Sequence, residues 1–414
     1  MRSISNKFDK PGIGFLFFPE HVSSSVVETA RRTGVKAIFD LTGIDPTASA
    51  GVLLQANTTP HAVELKLSAD ALFNPAVPDF LRRTNVTTIW VELHEALVPD
   101  TGALLEQISG LSDEFVIIPI LASVPLIRDI IENHPEIKII ALKGNEASGF
   151  VGSETLFVLY AAVREMIQDR EEAPCLAIYI APNEELMRLA FEEGARFVIC
   201  EGNEAGGHVG HYTTLTWAQV VLDLKLRSPA LFEGRRIILA GGVCNRETAF
   251  MAAMLGADAV QMGTAYLAVS DIIETGSLSP LYQKMILQAE PGSTIITGEA
   301  TGLRVRSLKT QTIDAICSLE RDFVSKKEDE ASFRRKIETL SAGSLCVAAR
   351  GVNRSDGSVL DEAMCIEQGQ FMSGAAAGTI KRVKSVRELH MELARGPLTA
   401  LIKCCETALS TLQL

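Results

Sequence analysis

The 414-residue sequence predicts a parallel α/β fold, a (β/α)8 TIM barrel with a mostly helical C-terminal accessory region. Three features predict it. Short apolar runs recur along the first 270 residues, helical stretches separate most of them, and glycine stands where several of those stretches end.

The runs are Ile13–Phe18, Ala37–Leu41, Thr88–Leu93, Val116–Leu121, Ile137–Leu142, Leu176–Ile180, Phe197–Cys200, Ile237–Ala240 and Ala259–Met262. Each is short and almost wholly apolar, as a parallel strand buried on both faces must be. Val22–Arg32, Leu126–Asn133, Glu184–Glu193 and Arg246–Leu255 carry apolar residues at three- and four-residue spacing, which marks one buried face of a helix. Gly34-Val35, Gly194-Ala195 and Gly256-Ala257 follow helical stretches. A left-handed glycine there ends the helix and turns the chain into the next strand. With a weaker run at Ala62–Leu67 the strand candidates exceed eight, so at least one is expected outside the barrel. An open doubly wound sheet is the alternative. The boundary is set at 1–270 for the barrel and 271–414 for an accessory region packed on its mouth. In that region Ser307–Arg321, Ser385–Ala394 and Leu398–Leu412 read as helices, and Ser325–Ala331 as a solvated, mobile stretch.

Composition narrows the function. Apolar residues make up 47% and charged residues 22%, which excludes disorder for most of the chain. The net charge of −12 disfavours nucleic acid and anionic membrane as partners. No apolar run is long enough to span a bilayer, and the polar Met1–Pro11 does not read as a signal peptide. The eight cysteines form no CxxC pair and no zinc spacing, so a reducing cytoplasm is expected.

Chemistry concentrates in three segments: Glu201-Gly-Asn-Glu-Ala-Gly-Gly-His-Val-Gly210, Ile237-Ile-Leu-Ala-Gly-Gly-Val243 and Gln261-Met-Gly-Thr264. All stand at C-terminal ends of expected strands, where parallel barrels build active sites. Gly241-Gly242 and Gly263-Thr264 can bring backbone N–H groups close to a phosphate monoester, which a Cβ would obstruct. The plainer reading, that these glycines only turn strand into helix, stands beside it. His208 lies in a glycine-rich loop rather than on an apolar helix face, and an imidazole there can move a proton at neutral pH. His208 and His211 have metal-pair spacing but no third ligand, so no metal is expected. Lys143–Gly152 matches Glu201–Gly210 at seven of ten positions, with Phe150 in place of the histidine, as in a duplicated strand–loop–helix unit. Arg304, Arg306, Lys309 and Lys381–Lys384 are local basic exceptions, read as solvated faces or as contacts to phosphopantetheine or an acidic carrier protein.

In this order and spacing the three segments resemble the nitronate monooxygenase family, which includes FMN-dependent enoyl-acyl-carrier-protein reductases. Thr301–Arg306 and Gly369–Gly378 are similar to later segments of the same family. The resemblance implies an FMN-binding TIM barrel. It implies FMN phosphate on Gly242, Gly263 and Thr264, with Gln261 and Met262 alongside, and Glu201, Gly206 and Gly207 near the flavin. It makes His208 the active-site histidine. Phe17–His21 departs from the family's first-strand ending, Ala265-Tyr266 from its usual Arg-Phe, and the loop Glu146–Phe150 is similar to domains associated with polyketide synthases.

The implied activity is oxidation of a nitronate-like or activated carbon acid. The alternative is reduction of an enoyl thioester in polyketide or fatty-acid synthesis with NAD(P)H as donor. A non-catalytic flavin-barrel scaffold is a reading of another class. The implied partners are a small-molecule or carrier-bound substrate, with a homodimer or neighbouring megasynthase domains compatible with the apolar C-terminus.

Overall fold

The computed structural model describes residues 14–16, 38–40, 63–68, 72, 75–83, 86–93, 101–142, 144, 154–167, 175–178, 183–192, 195, 197–270, 273, 278–302, 304–353, 357–385, 388–389 and 392. The loop Lys143–Gly152 apart from Gly144, the segment Phe17–Arg32 and the helix expected over Leu398–Leu412 lie outside the described residues.

The strands are β1 (Gly14–Leu16), β2 (Ile38–Asp40), β3 (Val63–Ser68), β4 (Val86–Glu92), β5 (Val116–Leu121), β6 (Ile139–Leu142), β7 (Cys175–Ile178), β8 (Phe197–Glu201), β9 (Gly207–His208), β10 (Arg236–Ala240), β11 (Ala259–Gln261), β12 (Thr294–Thr297) and β13 (Val305–Leu308). Two sheets are wholly parallel. One runs β2-β3-β4-β5-β6-β7 in chain order, and the other runs β1-β11-β10-β8. Every expected run is therefore laddered, the weak one at Ala62–Leu67 included. These parallel strands outnumber the eight of a (β/α)8 barrel. β1 beside β11 joins the two ends of the chain's strand series, so residues from the first strand meet those of the last.

The strands alternate as their two-residue period requires. Val198, Cys200, Ile237, Leu239 and Val260 face the helices and share one core with Trp217, Val221, Leu224, Ala249 and Ala252. Ile199, Ile238, Ala240 and Ala259 face the other way and form a separate small cluster. Ile118, Ile120, Ile139 and Ala141 do the same in the six-stranded sheet, with Trp90 and Val116 against them. Each fully buried aliphatic side chain on the helix side contributes about 2 kcal/mol.

Helix ends follow local chemistry. The Thr213 hydroxyl accepts from Thr216 N and starts the helix Thr214–Arg227, whose last turn carries Lys225 and Arg227. Asn245 and Thr248 cap each other's backbone N–H and start Arg246–Met254. Gly256, at φ +87°, turns that helix toward β11, as expected.

Beyond residue 278 helices dominate: Pro280–Gln288, Gln311–Val324, Glu330–Ser341, Ser344–Arg350 and Glu362–Gln368. The expected helix Ser307–Arg321 is corrected at its start. Val305–Leu308 is β13, paired antiparallel with β12, and the helix begins after Thr310, whose hydroxyl caps Ile313 N. The charged stretch after Ser325 is anchored where Phe333, 1% exposed, stacks on Phe323 with ring centroids 4.4 Å apart. Of Ser385–Ala394, residues 388–389 and 392 are helical. No described helix is long and apolar enough to cross a membrane.

Candidate active site

The four-stranded sheet sets the floor. Glu201 pairs with Ala240, Ala240 with Gln261, and Gln261 with Leu16, so the four stand at one level at the strands' C-terminal ends. Glu201, Ala240 and Gln261 lie on the face away from the helices, two residues beyond Ile199, Ile238 and Ala259.

The loop leaving β8 folds back over this floor. Gly202 N donates to Ala240 O at 2.9 Å, and Asn203 N donates to Tyr212 O at 2.7 Å. A Cβ on Gly202 would stand 2.1 Å from Thr214 Oγ1. Gly241 (φ +97°) and Gly242 (φ +71°) leave β10 in the left-handed region, and a Cβ on Gly241 would stand 2.8 Å from Gly202 O. Glu204 accepts from Thr214 N at 2.7 Å, placing its charge at the start of Thr214–Arg227.

The loop also meets a segment not singled out residue by residue in the sequence, Ser373-Gly374. A Cβ on Gly206 would lie 2.7 Å from Gly374 N, and one on Gly374 would lie 2.5 Å from Glu204 O. Gly374 N donates to Thr264 Oγ1 at 2.8 Å, and Ala375 N donates to Glu204 O at 2.9 Å. The small-residue run Gly369–Gly378 was the only signal for this, since Gly374 is what allows the backbones so close.

His208 is held as a strand residue. Gly207–His208 (β9) pairs antiparallel with Arg306 and Val305, and Val209 N donates to Arg304 O at 2.9 Å. Arg304 Nη1 donates to Gly210 O at 2.6 Å, and Arg306 Nε donates to Asn203 O at 2.7 Å. Arg306 also reaches Thr294 Oγ1 at 2.9 Å, and burial lowers its guanidinium pKa while Glu204 pulls the other way. Both arginines thus fasten the loop to the β12–β13 hairpin. His211 Nδ1 lies 3.1 Å from Arg304 Nη1. Among the described residues no His, Cys, Asp and Glu side chains gather as a metal site.

Glu201 is 6% exposed, and burial alone lifts its carboxyl to about 8. Gln261 Oε1 and Ser373 Oγ are buried without hydrogen-bond partners. Gly263 is open, with nothing within 4 Å of an added Cβ, and it precedes the short helix Thr264–Leu267. Met262 is buried in the helix-side core, so only its backbone is left for a ligand. The structure thus joins Glu201, Gly206, Gly207, His208, Gly241, Gly242, Gln261, Gly263 and Thr264 in neighbouring segments at one end of β8, β10 and β11. The residues present suit a phosphorylated, hydrogen-bonding cofactor: two left-handed glycines, an open Gly263, and an amide oxygen with no partner.

The sequence profile described as nitronate monooxygenase matches residues 153–396, more than half of the chain. The chain belongs to the nitronate monooxygenase family. This is the family expected from the Glu201–Gly210 motif. A probable nitronate monooxygenase of Staphylococcus saprophyticus is 33% identical over 123 residues, 29% of this chain and 34% of its own length. A Mycobacterium tuberculosis protein, (3aS,4S,5R,7aS)-5-hydroxy-7a-methyl-1-oxo-octahydro-1H-indene-4-carboxyl-CoA dehydrogenase, is 26% identical over 225 residues, 50% of this chain and 61% of its own. The chain thus matches less than two thirds of the length of these two relatives. Among solved structures, FabK from Thermotoga maritima shares the fold at TM-score 0.52 and 18% identity, over 98% of both chains. The enoyl reductase domain of MlnA from Bacillus amyloliquefaciens does so at 0.52 and 13%, over 98% of this chain and 99% of that one. Nitroalkane oxidase from Streptomyces ansochromogenes does so at 0.52 and 14%, over 96% and 99%.

Proposed function

We propose that this chain is an FMN-dependent oxidoreductase that oxidises a small nitronate-like or activated carbon acid, with His208 beside the flavin. The observation that carries the reading is the meeting of Gly241-Gly242, Gly263-Thr264 and the His208 loop at one end of three adjacent parallel strands. Family membership supports the same chemistry.

Bound FMN supplies the two-electron chemistry. The chain's own residues do the rest. Backbone N–H groups at Gly242 and Gly263, with the Thr264 hydroxyl still free to donate its proton, hold the phosphate. Gln261 Oε1 accepts from the ring system, and Glu201 and Gly206-Gly207 line it. His208 takes a proton from the carbon acid or fixes the anion that results, its ring carried on a paired strand rather than a free loop. We read the two parallel sheets as halves of one closed barrel, residues 1–270, with 271–414 as the accessory region and the cytoplasm as its compartment.

The second reading, an enoyl-thioester reductase using NAD(P)H, has its support in the near full-length fold likeness to FabK and to the MlnA enoyl reductase domain. Arg304 and Arg306 are engaged by the loop in either case, and Lys381, Arg382 and Lys384 pair with Glu290 and Glu392, so contacts to a carrier or a phosphopantetheine would fall first to Lys309. An anaerobic experiment separates the readings. The FMN-loaded protein is mixed with a nitronate, or with NADPH or NADH followed by an enoyl thioester. Bleaching by the nitronate alone is the expected result. Bleaching by nicotinamide with reoxidation by the thioester would replace the first reading with the second. Bound flavin indifferent to both would leave a scaffold.

A further inference from the structure

Glu201 ends β8 on the face that carries Ile199, Ile238, Ala240 and Ala259, each no more than 4% exposed. Among the described residues its carboxyl has no hydrogen bond and no ion pair. The charged groups nearby are committed elsewhere: Glu204 to Thr214, Arg306 to Asn203 O and Thr294, and Arg304 to Gly210 O and Glu299. An ionised carboxylate held there without a partner would cost several kcal/mol. Two strands across, about 10 Å away at the usual spacing, Gln261 stands at the same level with its Oε1 unmatched. The residue between them is Ala240, whose methyl leaves the gap open.

We propose that Glu201 stands in the site as a neutral carboxylic acid whose O–H donates a hydrogen bond to a carbonyl oxygen or ring nitrogen of the bound heterocycle, with Gln261 Oε1 accepting from an N–H of the same ring. The pair is matched to a flat ring that spans the gap and carries an acceptor and a donor on its edges. The loop from Glu201 to Gly210 then carries two proton-handling groups in opposite environments: an acid kept neutral by apolar neighbours, and an imidazole, His208, on a half-buried strand. Burial raising the carboxyl to about 8 agrees with this placement. Glu201 is a positioning residue here, and its role toward a ring rests on the cofactor reading above.

Infrared difference spectra of the ligand-free full chain, wild type against Glu201→Gln, test the acid directly. At pH 6.5 a protonated-carboxyl C=O band is expected in the wild type, absent from the variant and lost as pH rises past about 8. A wild type with only carboxylate absorption at pH 6.5 would overturn the proposal. FMN titration by fluorescence quenching tests the donor. Glu201→Gln, which keeps an N–H donor, should bind within about threefold of wild type, and Glu201→Leu at least tenfold more weakly. Equal affinity of the leucine variant would overturn the hydrogen bond while leaving the neutral acid. A wild type that shows the acid band yet binds no FMN would overturn the cofactor reading instead, and the ring-directed role with it.

Discussion

The four-stranded sheet and strands β5 and β6 of the six-stranded sheet are built alike on the side that meets the helices and differently on the other. On the helix side both contribute to one continuous core, Ile89, Ile117 and Ile140 in one sheet, Val198, Ile237 and Leu239 in the other. On the opposite face β5 and β6 stay apolar along their length, with Ile118 and Ile120 beside Ile139 and Ala141. β8 and β11 instead end that face in Glu201 and Gln261, and glycine follows immediately at Gly202 or within two residues at Gly263. Packing alone is enough for the first arrangement. Two polar ends on an apolar floor, one of them joined to a loop in which Gly202 has no room for a Cβ, are not explained by packing alone.

The sharpest way to break this comparison is at His208. His208→Ala should lower turnover by about 10²–10⁴-fold while leaving FMN affinity and thermal stability close to wild type, measured by steady-state kinetics and flavin titration. Full turnover by the variant would remove the imidazole from the chemistry.

Glu201 separates the halves by pH. Its folded-state carboxyl, near 8, lies above the value of 4.5 for an unburied glutamate. The stability it allows is therefore fully present below about 4.5 and is lost as pH rises toward 8, because only the unfolded chain ionises in that window. Glu201→Gln should gain on the wild type across the window, by about 3 kcal/mol at pH 7, in denaturant unfolding followed by circular dichroism. A parallel pH dependence in both proteins would contradict the assignment.

Gly202→Ala places a methyl 2.1 Å from Thr214 Oγ1 and should cost about 2–3 kcal/mol, with loss of FMN retention on desalting. Arg306→Ala removes the bond to Asn203 O and should cost about 1–2 kcal/mol. Its effect on kcat should exceed its effect on FMN affinity, because it frees the strand that holds His208. The smallest effect belongs to the other half. Gly110, in the helix Thr101–Leu111, has nothing within 4 Å of an added Cβ, so Gly110→Ala should stabilise by about 0.5–1 kcal/mol with activity unchanged.

The strands were legible because each is a short apolar run, and even Val63–Ser68 showed through its alternating charges. The glycine segments were legible because a turn at φ +97° or +71° admits little else. The β12–β13 hairpin was not. Arg304 and Arg306 look like solvated charges in sequence, and only pairing with Gly207–His208 reveals them as the loop's anchors. Ser373-Gly374 showed only as part of the small-residue run Gly369–Gly378, because its partners, Gly206, Glu204 and Thr264, are more than a hundred residues away. Burial of Glu201 needed three neighbouring strands in register, which no local pattern contains.

The central claim is that the ends of β8, β10 and β11 form an FMN site. It is tested most directly by the visible absorption spectrum of the chain after incubation with excess FMN and desalting, with riboflavin in parallel. A retained oxidised-flavin spectrum at near one equivalent with FMN, and little with riboflavin, is the predicted result, since the glycine segments hold a phosphate. A colourless protein after FMN, in a chain shown to be folded by circular dichroism, would contradict it.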